Sequence, residues 1–324
     1  MSASSNRLST ISVRDLETSL RFYRDIIGLQ VDVATVWKGP EFEDYYALPA
    51  GASGHVAVLS SGGRPAGRIM LVEFRDAGEQ AGGDHPDWFL GYTNANFYTP
   101  DMAATRRRLA GLGYEFWTDP LQYDIGGHEG APTEVFFDGP DGLAVNLIEP
   151  QGDPSTVVGS VARKYEEVGP TPTGFSELAT AAHNVPSIDD ALRFYVDVVG
   201  LRVLMDFEVA GDDRNDFLRL ERGSVSRNLF LYGDDLMGKI ALCAPLNYVL
   251  PDIPEAAKAP PAVGHLVMAV VVDDLGATLE RAAEHGVEVF APARPIGHPG
   301  FGDCVAALVR IPGSGALMEL IALA

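Results

Sequence analysis

The feature that most limits what this chain can fold into is that it repeats itself. The stretch VRDLETSLRFYRDIIGLQV begins at Val13, and VPSIDDALRFYVDVVGLRV begins at Val185, with nine of nineteen positions identical. A second pair, DMAATRRRLAGLGYEF from Asp101 and DLGATLERAAEHGVEV from Asp274, recurs at almost the same offset. Two matches at nearly one offset predict a duplicated domain. Each copy is itself double. In TISVRDLETSLRFYRDIIGLQV an alternating stretch comes first, then Asp15 as N-cap. Apolar positions Leu16, Leu20, Phe22, Tyr23 and Ile27 follow at helical spacing, and Gly28 is the stop. Strand-like LQVDVATVW, GHVAVLS and RIMLVEF come next, separated by glycine- and proline-bearing turns. This β-α-β-β-β order starts again at Tyr92, at Leu178 and at His265.

Four such units predict an α+β protein in two halves of two units each, residues 1–150 and 177–324. The polar, proline-bearing 151–176 is then a linker, with room for a short helix. The expectation is that units pair within a half, first with second and third with fourth.

Composition narrows the partners. With 45 acidic against 24 basic residues the formal charge is −21, which repels phosphate backbones and anionic lipid, so neither nucleic acid nor a membrane is expected. Two cysteines, Cys243 and Cys304, and no CxxC suggest neither a disulfide framework nor a zinc knuckle. The start MSASSNRLST has no apolar stretch of the secretory kind, and LVMAVVV is far too short to span a bilayer; a cytoplasmic protein is expected. No GxGxxG follows a strand, and no Walker loop or GxSxG elbow occurs, so no nucleotide cofactor and no serine hydrolysis are expected. The expected partner is a small-molecule substrate; a homodimer is left open.

The signature DLETSLRFYRDIIGL, the fourfold β-α-β-β-β count and the DGPDGLAVNL hairpin before a final strand resemble the vicinal oxygen chelate superfamily of glyoxalases, bleomycin-resistance proteins and extradiol dioxygenases. The resemblance covers nearly the whole chain outside the linker. It implies curved sheets that close in pairs into cups, usually with a metal on the floor. The family's ligand positions would fall on Leu8, Met70, Asn94 and Asn146 in the first half and on Thr180, Ala241, Val267 and Glu319 in the second. Leucine and methionine are poor ligands for the hard or borderline ions of this family, so the first cup is expected to lack a metal.

The cofactor expectation is therefore none, or a single divalent metal, iron or manganese, in the C-terminal domain. Its ligands would be Glu319 and His265, joined or not by His183. Strand alternation keeps His265 on the face of Val267, whereas odd spacing from Thr180 sends His183 to the opposite face, against a helix, unless a bulge intervenes. Without metal, Glu319 would be a general base with His265 beside it. His298, in the glycine-rich PIGHPGFG, is a candidate proton carrier, as is His128 in DIGGHEG, against the more ordinary reading of each as a solvated loop histidine. Alternation places Tyr92, Asn94, Asn96 and Tyr98 on one face, suited to a polar substrate clamp with Asn146 opposite and Thr180 in the neighbouring unit, or to an internal water network. Tyr45 and Tyr46 of EFEDYYALPAG would stack on a planar ligand at a cup mouth, or stand in solvent. Asp84, His85 and Asp87 read as a solvated loop between units. The function expected from these residues is lyase- or isomerase-type proton chemistry on a small, apolar, oxygenated or aromatic molecule. The alternatives are a ring-cleaving dioxygenase with iron in the C-terminal domain, and a protein that sequesters a metabolite.

Overall fold

The computed structural model describes residues 3–81, 88–126 and 129–324; His128, Asp84, His85 and Asp87 lie outside them. Four β-α-β-β-β units are present. The first holds β1 (Leu8–Ser12), α1 (Leu16–Leu20, continuing as a π turn Arg21–Ile26), β2 (Gln30–Lys38), a short α2 (Pro40–Tyr45), β3 (Ser53–Ser60) and β4 (Arg68–Phe74). The second holds β5 (Gly91–Tyr98), α3 (Met102–Gly111), β6 (Leu121–Gln122), β7 (Thr133–Asp138) and β8 (Ala144–Glu149), and the linker carries α4 (Val157–Val168). The third holds β9 (Thr180–Asn184), α5 (Ile188–Leu192, continuing as a π turn Arg193–Val199), β10 (Arg202–Val209), α6 (Asp212–Phe217), β11 (Ser226–Tyr232) and β12 (Lys239–Pro245). The fourth holds β13 (Gly264–Val271), α7 (Leu275–Glu284), β14 (Glu288–His298), β15 (Gly302–Arg310) and β16 (Leu317–Leu323).

Local chemistry sets the helix ends. The carboxylates of Asp15, Asp101 and Asp274 accept hydrogen bonds from the backbone N–H of Thr18, Ala104 and Ala277, satisfying donors that a first turn leaves open. After the repeated helix the chain turns sharply at Gly28 (φ 86°) and Gly200 (φ 93°), backbone a side chain adopts only with strain, which is why this glycine recurs in both copies.

In every unit the first strand lies parallel to the fourth, as β1 with β4 and β5 with β8, and the remaining neighbours are antiparallel. The free edge of each first strand then joins another unit. Here the expected pairing is corrected. The sheets run β14-β15-β16-β13-β1-β4-β3-β2 and β10-β11-β12-β9-β5-β8-β7-β6, so the first unit shares a cup with the fourth and the second with the third. We call these the outer and inner cups. Units of one half instead meet back to back. Phe22 and Tyr23 from α1 lie 6.0 Å from Phe137 and 6.4 Å from Phe97 of the second unit, ring centre to ring centre, within one apolar layer between the sheets. Phe194 and Tyr195 enter that layer from the third unit. Each such ring contributes about 1.5–3 kcal/mol by leaving water, so helix faces written as LRFY favour stacking two convex surfaces over closing a cup. Among the described residues, no helix is long and apolar enough to cross a membrane.

Candidate active site

The inner cup holds a cavity of about 1190 Å³, taken out to its open mouth. Alternation along β5 aims Asn94, Asn96 and Tyr98 into it while Ala95 and Phe97 go to the helix layer. From β8 come Asn146 and Ile148, from β7 Glu134 and Phe136, from β9 Thr180, and from β10 and β11 the stacked rings of Phe207 and Phe230, 6.1 Å apart. Phe217 and Leu218, at the end of α6, form part of the wall, and Arg214 of the same helix lies 4.8 Å above the Tyr123 ring. The expected clamp residues Asn94, Tyr98, Asn146 and Thr180 thus do face one cavity, although they come from different halves of the sequence.

The chemistry of this cavity centres on a residue the sequence reading passed over. Glu134 accepts hydrogen bonds from Tyr123 Oη at 3.0 Å and from Asn146 Nδ2 at 2.7 Å, one on each carboxyl oxygen. The side chain keeps some exposure, and what it faces is the cavity rather than bulk water. Burial therefore raises its pKa, and the bonds from Asn146 and Tyr123 only partly offset this. Around it Asn146 Oδ1, Asn228 Oδ1 and Thr180 Oγ1 have no protein partner. Buried polar atoms are rarely left so, and these are acceptors and donors for a guest or for water. The signal was present in TEVFFD, where alternation puts Glu134 on the side of Phe136.

The outer cup has the same frame and a different interior. Phe42, Tyr45 and Tyr46 of the α2 segment enter it and pack with Trp37, Phe74, Leu8, Met70 and Val267. Tyr46, expected at a cup mouth, is 1% exposed there. Glu319 and His298 do come together, with Nε2 of the histidine 3.3 Å from Oε1 of the carboxyl, and both side chains are fully buried. Tyr45 Oη donates to the same oxygen at 2.5 Å, and burial together with the Glu319 charge holds that phenol well above its ordinary range. His298 Nδ1 accepts from the Gly300 N–H at 2.9 Å.

Two other expectations are corrected by bulges. The register of β1 on β13 slips between Val267 and His265, and that of β5 on β9 between Tyr92 and Asn94. One extra residue reverses the side-chain direction. His265 and Tyr92 accordingly leave the cups and stack on each other in the helix layer, ring centres 4.8 Å apart, with Tyr92 Oη donating to the Leu317 carbonyl. Both His265 nitrogens lack a partner, and burial lowers its pKa to about 3. His183 sits on the other side of Tyr92, under the helix, bridging Tyr195 Oη and Ser314 Oγ at 2.7 Å each; burial lowers it to about 3 as well. Neither histidine shares a face with Glu319, so the three cannot converge on one ion.

The donor sets do not suit the divalent metal that the resemblance implies. The ligand positions gather as Leu8, Met70, Val267 and Glu319 in the outer cup and as Asn94, Asn146, Thr180 and Ala241 in the inner one. One side offers a single carboxylate among apolar groups, the other amides and a hydroxyl, and hard or borderline ions need more charged oxygen or imidazole than either supplies. Glu134 adds one carboxylate to the inner set, which leaves that cup too with a single charged ligand. Among the described residues no group of three or more His, Cys, Asp or Glu side chains is arranged to hold a metal ion.

Comparison with known proteins agrees with the architecture. The pattern of the Glyoxalase/Bleomycin resistance protein/Dioxygenase superfamily matches residues 6–147 and 177–307. Among solved structures, glyoxalase I from Zea mays is similar at 14% identity and a TM-score of 0.62, over 98% of this chain and 92% of that one. A putative dioxygenase from Bacillus subtilis is similar at 16% identity and a TM-score of 0.60, over 99% and 86%. At such identities the likeness concerns the fold. No curated protein matches.

Proposed function

Because the chain belongs to the Glyoxalase/Bleomycin resistance protein/Dioxygenase superfamily, we propose that it is an enzyme carrying out lyase- or isomerase-type proton transfer on a small, apolar, oxygenated molecule in the inner cup. The observation that carries this reading is Glu134, a carboxyl held on both oxygens and, among the described residues, the one acidic side chain facing a cavity lined by aromatic, aliphatic, amide and hydroxyl groups. A raised carboxyl pKa makes a stronger base of the ionised form and a usable acid of the protonated one, as a group that takes and returns a proton requires. Tyr123 and Asn146 fix its direction, so little motion is needed on the way to the transition state. Phe207 and Phe230 favour a flat guest, and the open atoms of Asn146, Asn228 and Thr180 supply hydrogen bonds to its oxygens. Fold alone would not choose among the reactions of this superfamily; the one carboxyl of the cavity, with its pKa raised, favours proton transfer next to a carbonyl.

The test uses phenylacetone, a neutral aryl ketone, in heavy water. Proton abstraction exchanges hydrogen beside the carbonyl for deuterium, which NMR counts directly. Wild-type protein should accelerate the exchange, and Glu134→Gln, which keeps shape and hydrogen bonding, should lower it about a hundredfold or more. Exchange undiminished in Glu134→Gln removes that residue from the role. Stoichiometric ketone binding without any exchange identifies a sequestering protein instead.

A further inference from the structure

Lys239, the first residue of β12, is 1% exposed, yet no carboxylate pairs with it. Its Nζ donates instead to three oxygens: the carbonyl of Leu236 at 2.6 Å, the carbonyl of Ala179 at 3.2 Å, and the phenol of Tyr98 at 2.8 Å. Burial lowers its pKa to about 7, and the fields of Asp235 and Glu177 oppose this only in part, those carboxylates being committed elsewhere, Asp235 to Lys164 and Glu177 to Arg64. Burying an ammonium without a counterion costs several kcal/mol. Two of the three Nζ donors go to backbone carbonyls, and the third goes to a side chain of the cavity wall, which ties the lysine to the cavity as well as to the start of β12.

Tyr98 is that side chain. Its oxygen accepts from Lys239 and stands within reach of Thr180 Oγ1 at the cavity, which leaves its own hydrogen to be given to Thr180 or to a guest. The register fixes where this phenol stands relative to the carboxyl. Tyr98 on β5 is opposite Ile148 on β8, and Ile148 is opposite Glu134 on β7. The three share one rung and all face the cavity, so the backbones of Tyr98 and Glu134 are two strand spacings apart, about 10 Å. Long side chains leaning inward from that distance flank a guest of one ring's size, with Ile148 beneath it.

We infer that Tyr98 is a second catalytic residue of the inner cup, giving its proton to a carbonyl oxygen of the substrate while Glu134 works on the adjacent carbon, and that Lys239 is the positioning residue behind it. This rests on the reading of the cup given above and narrows the substrate to a carbonyl compound bearing an acidified C–H. The Glu134 carboxylate takes the proton from carbon. The C–H electron pair becomes the new C=C bond, the carbonyl π pair moves to oxygen, that oxygen takes the Tyr98 proton, and the phenolate takes one from Lys239. The return runs the same transfers backward, with the Glu134 acid delivering its proton on the same face, to the original carbon or to another carbon of the guest. No electrons leave the pair and no co-reactant enters.

The experiment uses para-nitrophenol, whose ionised form has its own visible band and mimics the charged oxygen of an enolate. It is titrated into the full-length wild type, Tyr98→Phe and Lys239→Met across the neutral range. Wild-type protein should bind it with the ionised form favoured. Tyr98→Phe should raise the pH at which the bound dye ionises by about one unit or more, and Lys239→Met should shift it in the same direction. In the phenylacetone assay Tyr98→Phe should slow exchange about a hundredfold. Because Lys239→Met also strips two backbone carbonyls of their donor, the tyrosine variant is the decisive one. Bound dye with the same ionisation in wild type and Tyr98→Phe overturns the inference, as does a cavity that takes up no dye. If exchange is lost in Glu134→Gln but unchanged in Tyr98→Phe, the inference fails while the proposed function stands. If the dye responds to Tyr98 as expected but no ketone exchanges, the phenol site holds and the proton-transfer reading fails.

Discussion

The two cups are built to one plan and differ in what fills them. In the outer cup, PEFEDYY turns its aromatic side chains inward, and Phe42, Tyr45 and Tyr46 complete an aromatic cluster with Trp37 and Phe74. Gly54 on β3 helps make the room: a Cβ there would come within 2.8 Å of Val72, and the Phe42 ring lies just beyond. In the inner cup the matching segment of the repeat reads DDRNDFL, and its acidic and amide residues do not enter an apolar space without cost. Phe217 and Leu218 stay at the wall, and the middle is open. The better-looking acid–base pair, Glu319 with His298, is therefore in the cup without room, and the less conspicuous Glu134 is in the cup with it. What marks a working site is a titratable group together with space for a guest.

The largest effect that sharpens this contrast comes from truncating one phenylalanine in each of these two segments. Phe42→Ala should destabilise the protein by about 3–5 kcal/mol, since it empties a closed core. Phe217→Ala, bordering space that is already open, should cost clearly less while weakening ketone binding; denaturant unfolding of both variants decides it, and equal losses would mean the inner cup is as full as the outer.

Next in size, taken over one pH unit, is the response to acid. His183 and His265 lie in the layer that joins the cups, each lowered by burial from 6.5 to about 3. Between those values the unfolded chain binds protons that the folded one does not. Stability contributed by the neutral rings is thus complete above about pH 6.5 and is lost as pH falls toward 3, by up to about 1.4 kcal/mol per pH unit from each. Both cups should fail together in this window, and His265→Phe should flatten the slope. An outer cup that survives acid while the inner one opens would break the picture of a shared layer.

The smallest effect should come from Glu319→Gln. It keeps an acceptor for Tyr45 in a sealed interior away from the cavity, so ketone exchange should stay within about twofold of wild type. A hundredfold loss would return the chemistry to the outer cup.

Much of this was legible in the sequence, for reasons that can be named. Helix caps and the fourfold unit follow from local patterns, and alternation sent Asn94, Asn96 and Tyr98 to one face and His183 to the other. What local patterns do not carry is which first strand meets which, because all four offer the same edge and the choice is made by the apolar helix faces stacked between the sheets. Nor do they carry a bulge, and two bulges were enough to move Tyr92 and His265 out of the cups. Glu134 was hidden because its partner Asn146 is a neighbour only across strands.

The swapped pairing of units also sets an order of assembly. The inner cup is drawn from one contiguous stretch, β5 through β12, and has all its strands once Pro245 has been made. The outer cup joins β1 to β13, the first strand to one that emerges only in the last quarter of the chain, so during synthesis β1 waits with an unpaired edge. Contacts of such long sequence separation form slowly. The cavity-bearing cup is therefore the part a ribosome delivers first, and the sealed cup is the clasp that shuts only after β13 has followed it.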